Sequence, residues 1–436
     1  MDRKSIAFHH FGCKVNFAEA SALSRQFSDK GYELRDFRET ADVYVISSCV
    51  VTAIAEKKCR AAIRQAHRLN PKARIAVIGC FSELKPGELA GMEGVDLVLG
   101  HTGKFSLAEE LDRMDQQGHD YHGGMMTGSG GHNEPFIPSY SSGDRTRSFL
   151  KIQDGCDYFC SYCTIPLARG RSRSDTIAHV ESSVREIIAR GIREIVLTGV
   201  NFGDFGRHNG ERFSDLVKAL ESIDGIDRIR ISSIEPDLLT DEIIERVAAS
   251  RRFLPHFHIP LQSGCDRILK AMHRKYDRTL YASRVTRIRE LLPHACIAAD
   301  VITGFPGETE GEFRDTAGFL EALDISYMHV FTYSRRENTL ASKMENPVGD
   351  LEKKVRSDYL HHLSERKKEQ FYRSNHGRIE KVLFESDRSG DSMHGFTTNY
   401  IRVRTPYDPS HANTIVDVRL GATDPDGTYF ASPPFS

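Results

Sequence analysis

The chain has no tryptophan, no repeat of fixed period and no apolar run long enough to span a membrane or to act as a signal peptide. A cytoplasmic protein with no membrane partner is expected. It also lacks a charge excess. Its 59 basic and 61 acidic residues leave a net charge of -2, which argues against holding nucleic acid by bulk charge and leaves only local patches for that task. A disulfide pattern is missing too, since nine cysteines in 436 residues is an odd number in a large chain. Cysteines in that setting read as metal ligands or free thiols.

What is present is enough apolar sequence for two or three cores, at 39% hydrophobic residues. The first segment alternates apolar strand patterns at 6–9, 43–47, 75–79 and 97–99 with helical patterns such as 19–28 and 55–67. That alternation predicts an α/β domain with a parallel sheet covered on both faces, here placed at 1–117. Residues 118–143 hold seven glycines with Pro135 and Pro138 and read as a linker or loop. Alternation resumes over 144–375, with strands expected at 148–153, 194–199, 228–234, 256–261, 297–304 and 326–333 and a long charged helix at 351–374. Six such units fit a partial (β/α)6 barrel whose site sits at the strand C-termini, by analogy with the eight-fold barrel. Residues 376–436 show strand patterns at 382–385, 400–404 and 413–420 between Gly, Asp and Pro turns, predicting a small antiparallel β-barrel.

The chemistry is carried by Cys156, Cys160 and Cys163, a Cys-x3-Cys-x2-Cys triplet. Thiolates select soft metals or iron–sulfur clusters, and zinc would want a fourth ligand close by. Three ligands suit a cubane cluster with one iron left open. Cys13, Cys49 and Cys80 are separated by 35 and 30 residues, yet each falls just past a predicted strand of the first segment. In an open parallel sheet those ends line one crevice, so the three can converge on a second cluster, a reading favoured over the plainer one of buried strand-end cysteines because all three share the same topological position. Cys59, Cys265 and Cys296 read as structural.

The first triplet resembles the signature of the radical S-adenosylmethionine superfamily. With Gly12-Cys13-Lys14-Val15-Asn16, Ser48-Cys49-Val50-Val51-Thr52, Gly79-Cys80-Phe81, the stretch from Gly155 to Arg173, the run from Phe257 to Cys265 and the run from Asp300 to Thr309, the chain resembles the methylthiotransferases over nearly its full length. The last barrel is similar to the RNA-binding TRAM domain that closes those proteins. The first motif and Ala168-Arg169-Gly170-Arg171-Ser172-Arg173-Ser174 look most like the branch acting on N6-threonylcarbamoyladenosine beside the tRNA anticodon. The isopentenyladenosine branch usually reads Gly-Cys-Gln-Met-Asn there, and the ribosomal-protein branch Gly-Cys-Pro-Lys-Asn.

The resemblance implies two 4Fe–4S clusters and S-adenosylmethionine. Cys156, Cys160 and Cys163 would hold the cluster that cleaves the cofactor to a 5′-deoxyadenosyl radical, and Cys13, Cys49 and Cys80 the one carrying the sulfur. It also implies a reductant such as flavodoxin or ferredoxin, a sulfur source, and the anticodon loop as partner. Tyr162 occupies the aromatic position that supports the adenine, with loop packing as its plainer reading. Asn201, Ser233, Glu235, Gln262 and Ser263 sit at predicted strand ends within reach of the cofactor. Gly304-Phe305-Pro306-Gly307-Glu308 reads equally as an adenine cradle or a tight turn. Arg169, Arg171 and Arg173 read as phosphate contacts, with Arg402 and Arg404 as a further RNA-facing strip. From residue 377 onward six basic residues meet eight acidic ones, which keeps a basic ribosomal protein as the alternative substrate. An RNA-binding iron–sulfur carrier is the reading from another class, and an electron carrier would more often use four cysteines per cluster.

Overall fold

The structure, a computed structural model, describes residues 3–50, 52–117, 125–126, 135–143, 146–423 and 428–431. The chain forms two compact units. The first comprises 1–142, 149–159 and 163–174, and the second 143–148, 160–162 and 175–436.

In the first unit six parallel strands run in the spatial order Glu33–Arg35, Ser5–His10, Val43–Ser48, Arg74–Gly79, Leu97–Leu99, Met125–Met126. The predicted strands are all found. Alternate side chains feed two cores: Tyr44, Ile46, Ile75 and Val77 point into one, and Val43, Val45, Ala76 and Ile78 into the other. Both faces are covered, as near-continuous apolar strands require. Spatial order departs from chain order at Ser5–His10, which lies between the second strand and Val43–Ser48. That is the topological switch point where open α/β sheets hold ligands.

Most of the glycine-rich 118–143 stretch lies outside the described residues. Two described pieces of it are strands rather than linker: Met125 pairs with Val98, and Ser139–Tyr140 pairs antiparallel with Lys151 and Leu150. Backbone pairing needs no apolar pattern, so neither showed in the sequence.

The second unit contains the parallel pair Glu194–Thr198 and Arg228–Ile231, then the parallel trio His256–Gln262, Cys296–Thr303 and Tyr327–Thr332. Bridges at Ile229–Phe253 and Ser233–His258 join the two sets. The Asp350–Ser374 helix packs on the last strand through Leu360, Leu363 and Ser364, whose hydroxyl bonds the backbone of Met328 at 2.8 and 2.9 Å. Its Arg356 is buried on Glu308 at 2.6 Å, and Glu308 also accepts from the Gly304 amide at 2.8 Å. The 304–308 run is thus braced as a strand-to-helix turn.

The C-terminal barrel is closed by five strands in the order Ile379–Ser389, Ser392–Thr397, Arg402–Pro406, Tyr429–Ala431, Ile415–Thr423. Four pairings are antiparallel, and the closing pair Arg402–Pro406 with Tyr429–Ala431 is parallel. Val382, Phe384, Met393, Val403, Val418 and Leu420 fill it together with Phe371 and Tyr372 of the long helix.

Candidate active site

The second cysteine set is built at the strand ends of the first unit. Cys13 caps the Lys14–Asp29 helix, Cys49 follows Val43–Ser48, and Cys80 opens the helix after Arg74–Gly79. Cys13 is exposed, while Cys49 and Cys80 are buried. Gly12 makes the approach possible: its φ is +98°, and a Cβ there would lie 2.8 Å from both Cβ and Sγ of Cys49. Asn16 ties these loops together by donating to the carbonyls of Phe11 and Ser48 at 3.1 and 3.0 Å.

Behind Cys80 lies a dry cluster of charge. Arg169 donates from Nε to Cys80 Sγ at 3.2 Å, from Nη1 to Asp154 at 2.9 Å and from Nη2 to Glu19 at 3.0 Å. Lys104 and Lys151 reach Glu19 at 2.5 and 2.8 Å, and His101 and Arg173 reach Asp154 at 3.3 and 3.5 Å. Burial alone would push the Glu19 carboxyl up, but Arg169, Lys104 and Lys151 outweigh it and hold it well below the usual range. Asp154 is held down in the same way by Arg169, His101 and Lys151. Burial pushes the Cys80 thiol up, and Arg169 pulls the other way. Four cations thus face two carboxylates beside the cysteines. Such an excess, desolvated, suits an anionic thiolate group at Cys13, Cys49 and Cys80.

Arg169 is therefore not a phosphate contact. It is 1% exposed, and its guanidinium is spent on Glu19, Asp154, Asn16 and Cys80. The sequence showed only Asp175 nearby, whereas the fold supplies two carboxylates from elsewhere. Arg173 is also mostly turned inward, donating to the carbonyls of Arg169 and Arg171 at 2.7 and 3.0 Å. Of the three, Arg171 alone is well exposed, its guanidinium 4.4 Å from the Phe159 ring centre and 3.4 Å from Asp157.

The other triplet sits on a loop prepared for sulfur ligands. The amides of Tyr158 and Ile165 point at Cys156 and Cys163 Sγ, both at 3.4 Å. In the second unit Arg274 donates to Cys160 Sγ at 3.2 Å, to Tyr276 at 3.0 Å and to Glu235. Hydrogen bonds to sulfur are a feature of iron–sulfur sites. Burial pushes the Glu235 carboxyl up to about 7 despite Arg274. Arg274 was missed by sequence reasoning, and the only signal was its place in Met272-His273-Arg274-Lys275-Tyr276, beyond the quoted motifs.

Tyr162 packs among Cys265, Met272 and Phe305, with its hydroxyl 3.5 Å from Arg274. Asn201 is buried just past the Glu194–Thr198 strand, and Ser233 is half-buried at its bridge to His258. Gln262 ends its strand at φ +67°. The Ser263 hydroxyl is committed to its own turn, bonding Thr316 and the Cys265 amide at 3.2 Å each. Arg402 and Arg404 lie on the outer face of the C-terminal barrel, alternating with buried Val403 and Thr405.

Among the described residues no helix is long and apolar enough to cross a membrane. Residues 5–100 match the model described as uncharacterized protein family UPF0004, and residues 150–320 match the radical SAM superfamily. The chain is 38% identical to the threonylcarbamoyladenosine tRNA methylthiotransferase MtaB of Bacillus subtilis, over 95% of this chain and 93% of that one. It is 30% identical to the tRNA-2-methylthio-N6-dimethylallyladenosine synthase of Clostridium perfringens, over 98% and 97%. Among solved structures, the radical S-adenosylmethionine methyltransferase TsrM of Kitasatospora setae shares the fold at a TM-score of 0.55 and 16% identity, covering 75% of this chain and 73% of that one. Paired cysteine sets on this fold, with relatives matched nearly end to end, place the chain in the radical S-adenosylmethionine methylthiotransferase family.

Proposed function

We propose that this protein attaches a methylthio group to carbon 2 of N6-threonylcarbamoyladenosine in the tRNA anticodon loop, in the cytoplasm. The observation that carries the branch is the higher identity to relatives named for threonylcarbamoyladenosine, 38% and 37%, than to those named for dimethylallyladenosine, 30%. Cys156, Cys160 and Cys163 would hold a 4Fe–4S cluster, and Cys13, Cys49 and Cys80 a second that bears the sulfur. When bound, the first cluster and S-adenosylmethionine supply one-electron cleavage of the sulfonium and so hydrogen abstraction from a carbon with no acidic proton.

The chain's own residues do the rest. The Tyr158 and Ile165 amides and Arg274 orient and polarise the three sulfurs of the first set. Arg169 does the same for Cys80. Glu235, Gln262, Asn201 and Ser233 sit where the amino and ribose groups of the cofactor would be held, and Tyr162 backs the loop. Residues 1–117 supply the sulfur, 144–375 the radical, and 376–436 with Arg402 and Arg404 grip RNA, as does Arg171, while Arg173 with its inward-turned guanidinium braces the Arg169–Arg171 turn. A flavodoxin or ferredoxin and a cellular sulfur source complete the system.

Mass spectrometry of tRNA nucleosides from cells with and without the gene tests this. Deletion should abolish 2-methylthio-N6-threonylcarbamoyladenosine. Complementation with Cys156→Ala should fail and its purified protein should yield no 5′-deoxyadenosine. Cys13→Ala should also fail in cells while its protein still cleaves the cofactor. Full rescue by Cys13→Ala would overturn the second cluster.

A further inference from the structure

Three polar side chains of the second unit take no part in the scheme above. His258, Asp300 and His329 come from the adjacent parallel strands His256–Gln262, Cys296–Thr303 and Tyr327–Thr332. His258 Nε2 lies 2.8 Å from Asp300 Oδ1, and the two imidazole centres are 5.4 Å apart. One nitrogen or oxygen from each residue falls within 4.8 Å of the others.

Their direction follows from the strand period. Phe257, Ile259, Ala299, Val301 and Met328 alternate with them and are buried on the helix-covered side. The trio therefore faces the concave side, where His258 and Asp300 are half-buried and His329 is exposed. Two residues earlier on its strand, His256 is stacked on Tyr400 at 4.4 Å, and Arg230 lies over the same ring at 4.7 Å, so the lumen is plugged there. Towards the strand ends come Gln262 and the Glu235–Arg274 pair beside Cys160. The trio thus forms a polar floor on this side of the three strands, between the stacked His256 and the Glu235–Arg274 pair.

We propose that His258, Asp300 and His329 recognise the N6 substituent of the substrate adenine, and that they select a polar carbamoyl group bearing a hydroxyl and a carboxylate over a hydrocarbon chain. The inference rests on the function proposed above; His258 and Asp300 lie in the runs that mark the methylthiotransferases at large, so His329 is the member of the trio that would set the branch. A ring nitrogen facing a carboxylate carries the hydrogen, so Asp300 fixes His258 as a donor. The second Asp300 oxygen is then an acceptor for a urea N–H or hydroxyl, and the His329 ring donates to the carboxylate. A hydrocarbon laid on this floor would strip water from all three and return no hydrogen bond. Sites built to bond a polar group reject the analogue lacking it by up to ~10⁴-fold, whereas apolar pockets discriminate far less.

The test is the affinity of the reconstituted full-length protein for three anticodon stem-loops, measured by fluorescence polarisation at equal iron content. They carry threonylcarbamoyladenosine, isopentenyladenosine or plain adenosine. Wild type should prefer the first over the second by about tenfold or more. His329→Phe should reduce that preference to within about twofold, and His329→Gln should keep part of it. An unchanged preference in His329→Phe overturns the proposal, as does a wild type that binds the two modified loops equally. Because two histidines and a carboxylate also suit a divalent metal, zinc is added to the wild type and to His329→Phe. Stoichiometric zinc held by the wild type and lost in the variant would overturn substrate recognition in favour of a metal site. Loss of the nucleoside on gene deletion is read separately, so failure here leaves the parent reaction standing.

Discussion

At the scale of single residues, the charge on Arg169 has no access to water, and its partners decide what its removal does. Glu19 and Asp154 are 2% exposed, and both lose a guanidinium when Arg169 is truncated. Breaking a buried pair on one side is far costlier than the pair is worth intact, typically about 3–5 kcal/mol. Arg169→Ala should therefore lower the stability of the protein by roughly that amount, read as a fall in melting temperature. Arg169→Lys should recover only part, because an ammonium cannot bond two carboxylates and a sulfur at once. Arg171 is the contrast. Its exposed pair with Asp157 contributes under about 1 kcal/mol, so Arg171→Ala should leave the melting temperature nearly unchanged. It should instead weaken tRNA binding and lower the salt slope by about one. If Arg169→Ala melts like wild type and weakens tRNA as Arg171→Ala does, the assignment of the two is reversed.

At the scale of elements, the cysteine loop depends on one backbone conformation. Gly155 has φ +71°, and a Cβ there would meet the Arg171 carbonyl oxygen at 1.9 Å. The next amide, of Cys156, bonds the Gly170 carbonyl at 3.1 Å, which sets the direction in which Cys156 leaves the strand. Gly155→Ala adds a left-handed penalty of about 1 kcal/mol and a clash with backbone that cannot move aside. It should purify with substantially less iron and visible absorbance than wild type while Gly143→Ala, whose Cβ would meet nothing within 4 Å, loads normally. Elements like Val43–Ser48 were legible because an apolar run between turn residues has one cheap solution, and the places of Cys13, Cys49 and Cys80 in the fold were legible because they follow such strands. Glu33–Arg35 was not, being an exposed edge strand with no apolar signature. Ser392–Thr397 and Tyr429–Ala431 are strands because the barrel must close, a condition outside their own sequence. The site shows the same division. Arg274 lies 114 residues from Cys160, and Glu19 lies 150 from Arg169, so only the fold brings them together.

At the scale of the whole chain, the C-terminal barrel and the 175–374 strands belong to one compact unit, and their shared contacts argue against a detachable RNA-binding appendage. Glu194 is fully buried. Burial would push its carboxyl up, yet Arg230, Arg147 and Arg228 hold it below the usual range. The same arginines turn their remaining donors onto the barrel: Arg228 to the carbonyls of Phe396 and Lys381, Arg230 to those of Thr397 and Thr398, and Arg147 to Glu385. Asn399 adds bonds to the His294 carbonyl and Asn375 at 3.0 Å each. Cys296 of the Cys296–Thr303 strand belongs to the core that fills the barrel, with Tyr327 of the last strand packed against it. Removing residues 376–436 would leave three buried cations with one carboxylate and uncover Phe371, Tyr372 and His256. An appendage would be lost with a fall in tRNA affinity and an unchanged melting temperature. A truncated chain ending at Asn375 should instead be largely insoluble or melt more than about 10 °C lower, since unpaired buried charge and an opened core each cost several kcal/mol. Tyr400→Ala separates this from a general effect of truncation. Its ring stacks on His256 and Phe396 and lies under Arg230, so losing it alone should cost about 3 kcal/mol with the rest of the barrel intact. Should Tyr400→Ala and the truncation both melt with the wild type, the barrel is an independent module and the tie between Glu194, its arginines and the tail contributes nothing to the fold.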